Sequence, residues 1–305
     1  MKNNQLVAYL KLSLAIIGWA GVYHSANYLV HRVDLYSVAF VRYFCASLIL
    51  IAIMKARRGY IFDKQLFKDN WLILINLGIV GIGCYNLVFF LSEKYLSASM
   101  VALIFSITPC LTALLSSWYF RQRISLYAYA SMFIALLGTI GVINYSNPSC
   151  QQYWCNLINN ISIGEISTIG LCFLAATFSI MSRIATNKNI DSLSITTYAA
   201  VFGTIVLFVA MLIAGKPQDL LAQDGEFWIV MTYTFLIGSV LSYFWYSESI
   251  ATLGISKVVV FLNGIPFTTI LIGVVFFNQP ISLPVMLCGL IIIIGVIITN
   301  KVISR

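Results

Sequence analysis

The sequence predicts an all-α integral membrane protein of ten transmembrane helices, arranged as two inverted repeats of five. Three observations predict it. The chain of 305 residues is 60% hydrophobic and only 9% charged. Soluble domains carry about 25% charged residues, so no soluble core could hide this much apolar surface. Ten segments approach the roughly 20 apolar residues that a span needs. Finally, one pattern occurs twice, 157 residues apart: Leu96 to Ser125 aligns on Leu253 to Ser282 without a gap, with ten identities in thirty positions. Pro109/Pro266, Thr112/Thr269, Gln122/Gln279 and Ser125/Ser282 are among them, which apolar composition alone does not explain. The same offset pairs Asp34 with Asp191, Ser37 with Ser194, Gly81 with Gly238 and Gly138 with Gly295.

The elements follow in order. The first span, 6–28, comes after Lys2 and could mimic a secretory signal. It lacks a clear small-residue cleavage site and nine apolar segments follow, so it is expected to be retained. Spans at 35–54, 71–91, 98–120 and 125–144 complete a first half, residues 1–144. The polar stretch 145–163, with Asn147, Pro148, Asn156, Asn159 and Asn160, falls at the midpoint and reads as a linker. The second half, 164–305, holds spans at 164–185, 193–214, 227–249, 256–277 and 283–300. In lipid the backbone must satisfy itself within each segment, so these runs are helices; the short alternating strands of a β-barrel are absent.

The charges orient the bundle. The net charge of +8 would suggest nucleic acid in a soluble protein, but here the basic residues gather between apolar runs. With both termini cytoplasmic, fourteen Lys and Arg fall on the inner side. Only Arg32, Lys94 and Lys216 fall outside, and Arg42 lies within the second span. The positive-inside rule then makes 145–163 extracytoplasmic. Five spans per half is odd, so the second half enters the membrane the other way up. Five of the seven cysteines lie in apolar runs as small buried hydrophobes. Cys150 and Cys155 share the outer linker, where a disulfide and two free thiols both stay open.

These residues resemble the EamA-like family of the drug/metabolite transporter superfamily. The stretch "SASMVALIFSITPCLTALLSSWYFRQRIS" carries the family's fourth-helix proline as Pro109, matched by Pro266. Gln122 and Gln279 stand where the family usually has Glu. "GEISTIGLCFLAATFSIMSR" resembles its sixth helix, "IIGWAG" with Trp19 its first, and Arg42 falls where its second often has Arg. The resemblance implies a carrier for small metabolites in the cell (inner) membrane, often of amino acids or related compounds and often an exporter.

Ionisable groups within spans are costly and are functional candidates. Arg42 is the deepest permanent charge. It reads either as a topology lock paired with a carboxylate such as Asp34 or with helix C-terminal carbonyls, or as an anion-holding or gating arginine. Glu248 with Lys257 could form a gate or a proton-coupling carboxylate; Glu93 is expected to anchor at the surface. The aromatics Trp19, Tyr23, Tyr85, Tyr243 and Trp245, with His24, Asn86, Ser106 and Asn263, could form an apolar box with a few polar contacts, the usual makeup of a small-molecule site. Ser106 and Asn263 each stand three residues before a proline, which frees a carbonyl one turn back. Pro109 and Pro266 should kink their helices. For most of these side chains, interfacial anchoring or helix packing explains the residue equally well.

The leading function is a secondary transporter working by alternating access, with export expected and a proton as candidate coupling ion. Uptake or exchange by the same type of carrier is the alternative. A receptor or channel would not need the inverted duplication. An intramembrane enzyme would need a G-x-S-x-G elbow, H-E-x-x-H or paired acids, and the sequence has none. No phosphate-binding loop and no metal-ligand spacing occur, so no nucleotide hydrolysis, metal or cofactor is expected. The expected partners are a small substrate and membrane lipid, not nucleic acid, with the chain a monomer or weak dimer.

Overall fold

The computed structural model describes residues 2–121, 125–146, 161–254, 258 and 261–303, and these are helical apart from short turns. The first half contains α1 (Lys2–Val30), α2 (Leu35–Arg58), α3 (Lys64–Tyr95), α4 (Ala98–Tyr119) and α5 (Leu126–Ser146). The second contains α6 (Ile163–Asn187), α7 (Ser192–Ala214), α8 (Gly225–Leu253), α9 (Gly264–Phe277) and α10 (Leu283–Ile303). Among the described residues nine helices are long and apolar enough to cross a membrane, and α9 is a shorter apolar helix. Cys150, Cys155, Gln122 and Lys257 lie outside the described residues.

Local sequence sets the ends. Asp34, Asp63, Asp191 and Asp224 each accept a hydrogen bond from a backbone N–H of the first helical turn, satisfying donors that the helix leaves open. Ser162 and Glu165 form a reciprocal capping box on α6. Gly59 closes α2 in the left-handed region at φ 78°, where a side chain would be strained. Helix α3 begins at Lys64, seven residues before the expected span, because Lys64, Lys68 and Asp69 hold its first turns out of a purely apolar window.

The duplication is visible atom by atom. A Cβ on Gly138 would lie 2.8 Å from Cys288 O and from Ile292 N of α10; one on Gly295 would lie 2.8 Å from Ser131 O and 2.7 Å from Ala135 N of α5. Gly138/Gly295, Ser131/Cys288 and Ala135/Ile292 are all repeat partners, so both helices make the same contact with each other. The N-caps repeat the arrangement. Asp34 Oδ2 accepts from Lys216 N at 2.9 Å, just past α7, while Asp191 Oδ1 lies 2.7 Å from Arg58 Nη2 at the end of α2. Each cap therefore reaches the other repeat's helix end, which requires α2 and α7 to run antiparallel.

Both irregular features also recur. Helix α3 widens into a π segment at Ile79–Cys84 and α8 at Tyr233–Leu241, ending on repeat partners. Helix α4 breaks after Phe105, at Ser106 (φ −64°, ψ −12°), and α9 starts after Asn263 (φ −63°, ψ −12°). Each break stands three residues before Pro109 or Pro266, whose rings cannot donate a helical hydrogen bond.

Alternating spans define two ends. The near end carries the start of α1, the α2–α3 and α6–α7 connections and the end of α8; the far end carries α1–α2, α3–α4, α7–α8 and α9–α10.

Candidate functional site

The π segment of α8 organises the centre of the bundle. A π turn displaces backbone groups from the regular ladder, and here neighbouring helices use them. Trp19 Nε1 of α1 donates to Gly238 O at 3.1 Å, and Tyr233 OH donates back to Gly18 O at 2.9 Å. Gly238 has to be glycine because a Cβ there would overlap Val22 of α1. Its repeat partner Gly81 packs the same way against Phe178 of α6.

Beside Gly238 stands Arg42, 6% exposed. Its Nε donates to Ser239 Oγ at 3.0 Å and its Nη1 to Asn86 Oδ1 at 3.3 Å. Asn86 is itself fixed by donating to Ile82 O, in the π segment of α3, at 2.8 Å. The guanidinium also lies over the rings of Tyr43 (5.4 Å) and of Phe89 and Phe90 (5.8 Å each). Among the described residues no carboxylate pairs with Arg42. Asp34 caps α2 instead, so its pairing with Arg42 is not what is found. A guanidinium has five N–H donors, and two of them make the hydrogen bonds just described.

Two adjoining cavities run from this cluster to the near end. The deeper, of about 170 Å³, is lined by Tyr43, Phe178, Ser182, Ser239 and Tyr243 among others. The outer, of about 250 Å³, shares Leu50, Ser192, Thr196 and Tyr243 with it and reaches exposed Arg57 and Glu248. Either is several times the roughly 30 Å³ share of one water molecule.

The expected site residues divide into two sets. Trp19 stands edge-on to Tyr243 (5.2 Å) and Tyr246 (5.4 Å). Tyr23 meets Phe89 edge-on at 5.6 Å, and Tyr85 stacks on Phe89 at 6.3 Å. Together with Asn86 and Arg42 these surround the seam between repeats. Trp245 does not join them: it is two residues from Tyr243, about 200° round the helix. Ser106 Oγ donates to Leu103 O at 2.5 Å within its own helix, and Asn263 Nδ2 is buried with no hydrogen bond among the described residues. His24 is buried at the far end, Nε2 2.8 Å from Thr269 O and its ring stacked on Phe277 at 4.9 Å. Glu248 pairs with Lys11 Nζ at 2.5 Å, and its expected partner Lys257 lies outside the described residues.

Two groups escaped the sequence reading. Ser239 looked like an ordinary small residue; its position after the duplicated Gly238 was the one signal for it. Glu93 was expected at the surface but is 0% exposed. It lies two residues from the end of α3, where hydropathy cannot distinguish an interfacial anchor from a residue covered by α1 and α6.

This geometry defines a class: a polytopic helical membrane protein of two repeats with a polar cluster and cavities at the seam between them. The profile of the EamA-like transporter family matches twice, over residues 6–144 and 162–301. The chain belongs to that family. Its relatives include an uncharacterized transporter of Bacillus subtilis (strain 168), YyaM, 27% identical over 97% of this chain and 95% of that protein. An uncharacterized transporter of Archaeoglobus fulgidus is 22% identical over 96% of this chain and 98% of that protein. A solved crystal structure covers 99% of both chains with a TM-score of 0.64 and 14% identity, a likeness of fold alone. The protein is thus a multi-pass membrane transporter.

Proposed function

We propose that this transporter is a secondary carrier that exports a small metabolite with an anionic group, an amino acid or related compound, by alternating access. The observation that carries the reading is Arg42, a buried charge with no carboxylate partner among the described residues, at the seam of the two repeats. Substrate sites in duplicated carriers lie at that interface. A carboxylate of the substrate would supply the missing counter-charge and take up the free N–H donors, a charge-assisted geometry that arginine suits. The rings of Tyr43, Phe178 and Tyr243, which line the deeper cavity, supply the apolar remainder of the pocket.

Export is favoured by where the cavities open. They reach the near end, which carries Lys11, Arg57, Arg58, Lys64, Lys68, Arg183 and Lys188. The positive-inside rule makes that face cytoplasmic, with both termini on it, in the cell (inner) membrane. A site open to the cytoplasm is loaded from the cytoplasm.

Sealed vesicles containing only this protein, preloaded with a pool of radiolabelled amino acids, test the reading. Protein-dependent efflux of a carboxylate-bearing compound, lost in Arg42→Ala at equal expression, is the expected result. Efflux unchanged in Arg42→Ala would refute the anionic-substrate assignment. A reporter fused after Arg305 should be active in the cytoplasm; activity outside would overturn the orientation.

A further inference from the structure

The far end of the bundle is closed by polar contacts within the first repeat and between it and the second. His24 bonds Thr269 O and stacks on Phe277. Asn27 Nδ2 donates to Glu93 O at 2.6 Å and to Leu96 O at 3.1 Å, and Ser99 Oγ reaches Gln279 Oε1 at 3.3 Å. Beneath this closure lies the Glu93 side chain, 0% exposed, with neither carboxyl oxygen hydrogen-bonded among the described residues.

The groups around it do not neutralise a charge. From α1 come Tyr23 and Asn27, the latter already committed to two carbonyls. On α6, Glu165 is engaged with Ser162 in the capping box and Cys172 is a buried thiol. Arg42 of α2 is turned to Ser239 and Asn86. On α4, Ser99 is turned to Gln279. On α3 itself, Lys94 is exposed and lies 6.0 Å over the Tyr95 ring. Among the described residues no cation pairs with Glu93. An ionised carboxylate so placed is among the costliest arrangements a fold can hold.

We propose that Glu93 is a proton-binding site whose occupancy is linked to closure of the far end. On closure the carboxylate takes one proton from the water at that face, forming an O–H bond, and is buried as the neutral acid. On opening the proton returns to the same water. A ligand that binds one conformation better shifts the balance toward it, so acid at the far face favours the closed far end. The site is one-sided. The repeat partners of His24, Asn27 and Glu93 are Met181, Ile184 and Ile250, so the near end has no equivalent acid. The inference rests on the carrier reading only in taking the two ends to open alternately.

The test uses the full chain in lipid bilayers and the proton as its only ligand. Infrared difference spectra on acidification should gain a protonated-carboxyl band that is missing in Glu93→Gln and in Glu93→Met. Backbone hydrogen exchange of residues 23–30 and 91–97, corrected for intrinsic rate, should slow on acidification in the unmodified chain. In both variants, which are neutral at every pH, it should stay slow throughout. A carboxyl band that survives in both variants, or exchange that responds to pH alike in all three proteins, overturns the proposal. Neither readout needs substrate, so these signals with no flux would refute the carrier reading instead.

Discussion

Arg42 Nε donates to Ser239 Oγ at 3.0 Å, which ties a charge of the first repeat to the π segment of the second. The repeat partner of Arg42 is Ala199 and that of Ser239 is Ile82, so the duplication supplies the frame while the polar site is built once. Asymmetric substitution at symmetric positions is what makes the cluster single, as the proposed substrate site requires.

Replacing the charge tests its purpose. Arg42→Met should lower thermal stability by no more than about 1–3 kcal/mol, the cost of leaving buried Asn86 Oδ1 without its donor, partly offset by removal of a buried charge. Its transport of an anionic compound should fall by roughly 10- to 100-fold, the equivalent of a charge-assisted hydrogen bond at about 1.5–3 kcal/mol. Flux and melting temperature measured on one preparation separate the two effects. A large drop in stability with proportionate loss of flux would make Arg42 a structural residue.

The two tryptophans should now behave differently. Trp19→Phe removes the hydrogen bond to Gly238 O and leaves a buried acceptor unpaired, at a cost of about 1–3 kcal/mol. It also loosens the edge contacts with Tyr243 and Tyr246, so the apparent affinity for substrate should fall with expression retained. Trp245→Phe should stay near parental values, because its side chain projects away from that face. Concentration dependence of efflux for each variant checks this; equal impairment of both would place Trp245 at the site.

The close approach of α5 and α10 gives a paired prediction. Gly138→Leu and Gly295→Leu each drive a side chain into the partner's backbone, which small residues exist to avoid at such interfaces. Each should lower stability by about 1–3 kcal/mol, the usual range for overpacking. Because the contacts are repeat partners, the two losses should be similar. Detergent-solubilised melting curves decide it, and a harmless Gly295→Leu would show that the crossing is looser than drawn.

Much of this was legible in the chain. Ten apolar runs, the 157-residue offset and paired prolines, glycines and aspartates specified the repeats because hydropathy and backbone geometry act locally. Arg42, Trp19, Tyr85, Asn86 and Tyr243 stood out as polar or aromatic groups within spans, and they meet. Which face each residue turns to was not legible, since a helix that is apolar all round gives no periodicity to read. Trp245 and Ser106 were therefore grouped with residues that they do not join among the described contacts. The depth of Glu93 depends on α1 and α6 covering one helix end, a tertiary fact with no local signature.

The paired ends of α2 and α7 give the last prediction. Asp191 is half-buried: burial by itself raises its pKa, but hydrogen bonds from Ser194 and the charge of Arg58 outweigh it and hold the carboxyl below its ordinary range. The backbone N–H of Phe227, followed by Arg32, does the same for exposed Asp224. A carboxylate with a depressed folded pKa contributes stability that is full above the unfolded value, near about 3.9, and is lost as pH falls through the folded one. Acidification below the ordinary aspartate range should therefore loosen both connections, and neutral to alkaline conditions should leave them intact. Asp191→Asn keeps a good N-cap but loses the charge pairing, so its melting temperature should change less than the parent's over the same acid range. Parallel titrations of the parent, Asp191→Asn and Asp224→Asn would show it. If all three lose stability with identical slopes, these two carboxylates are not the groups that titrate, and the aspartate caps hold the repeats together by backbone hydrogen bonding alone.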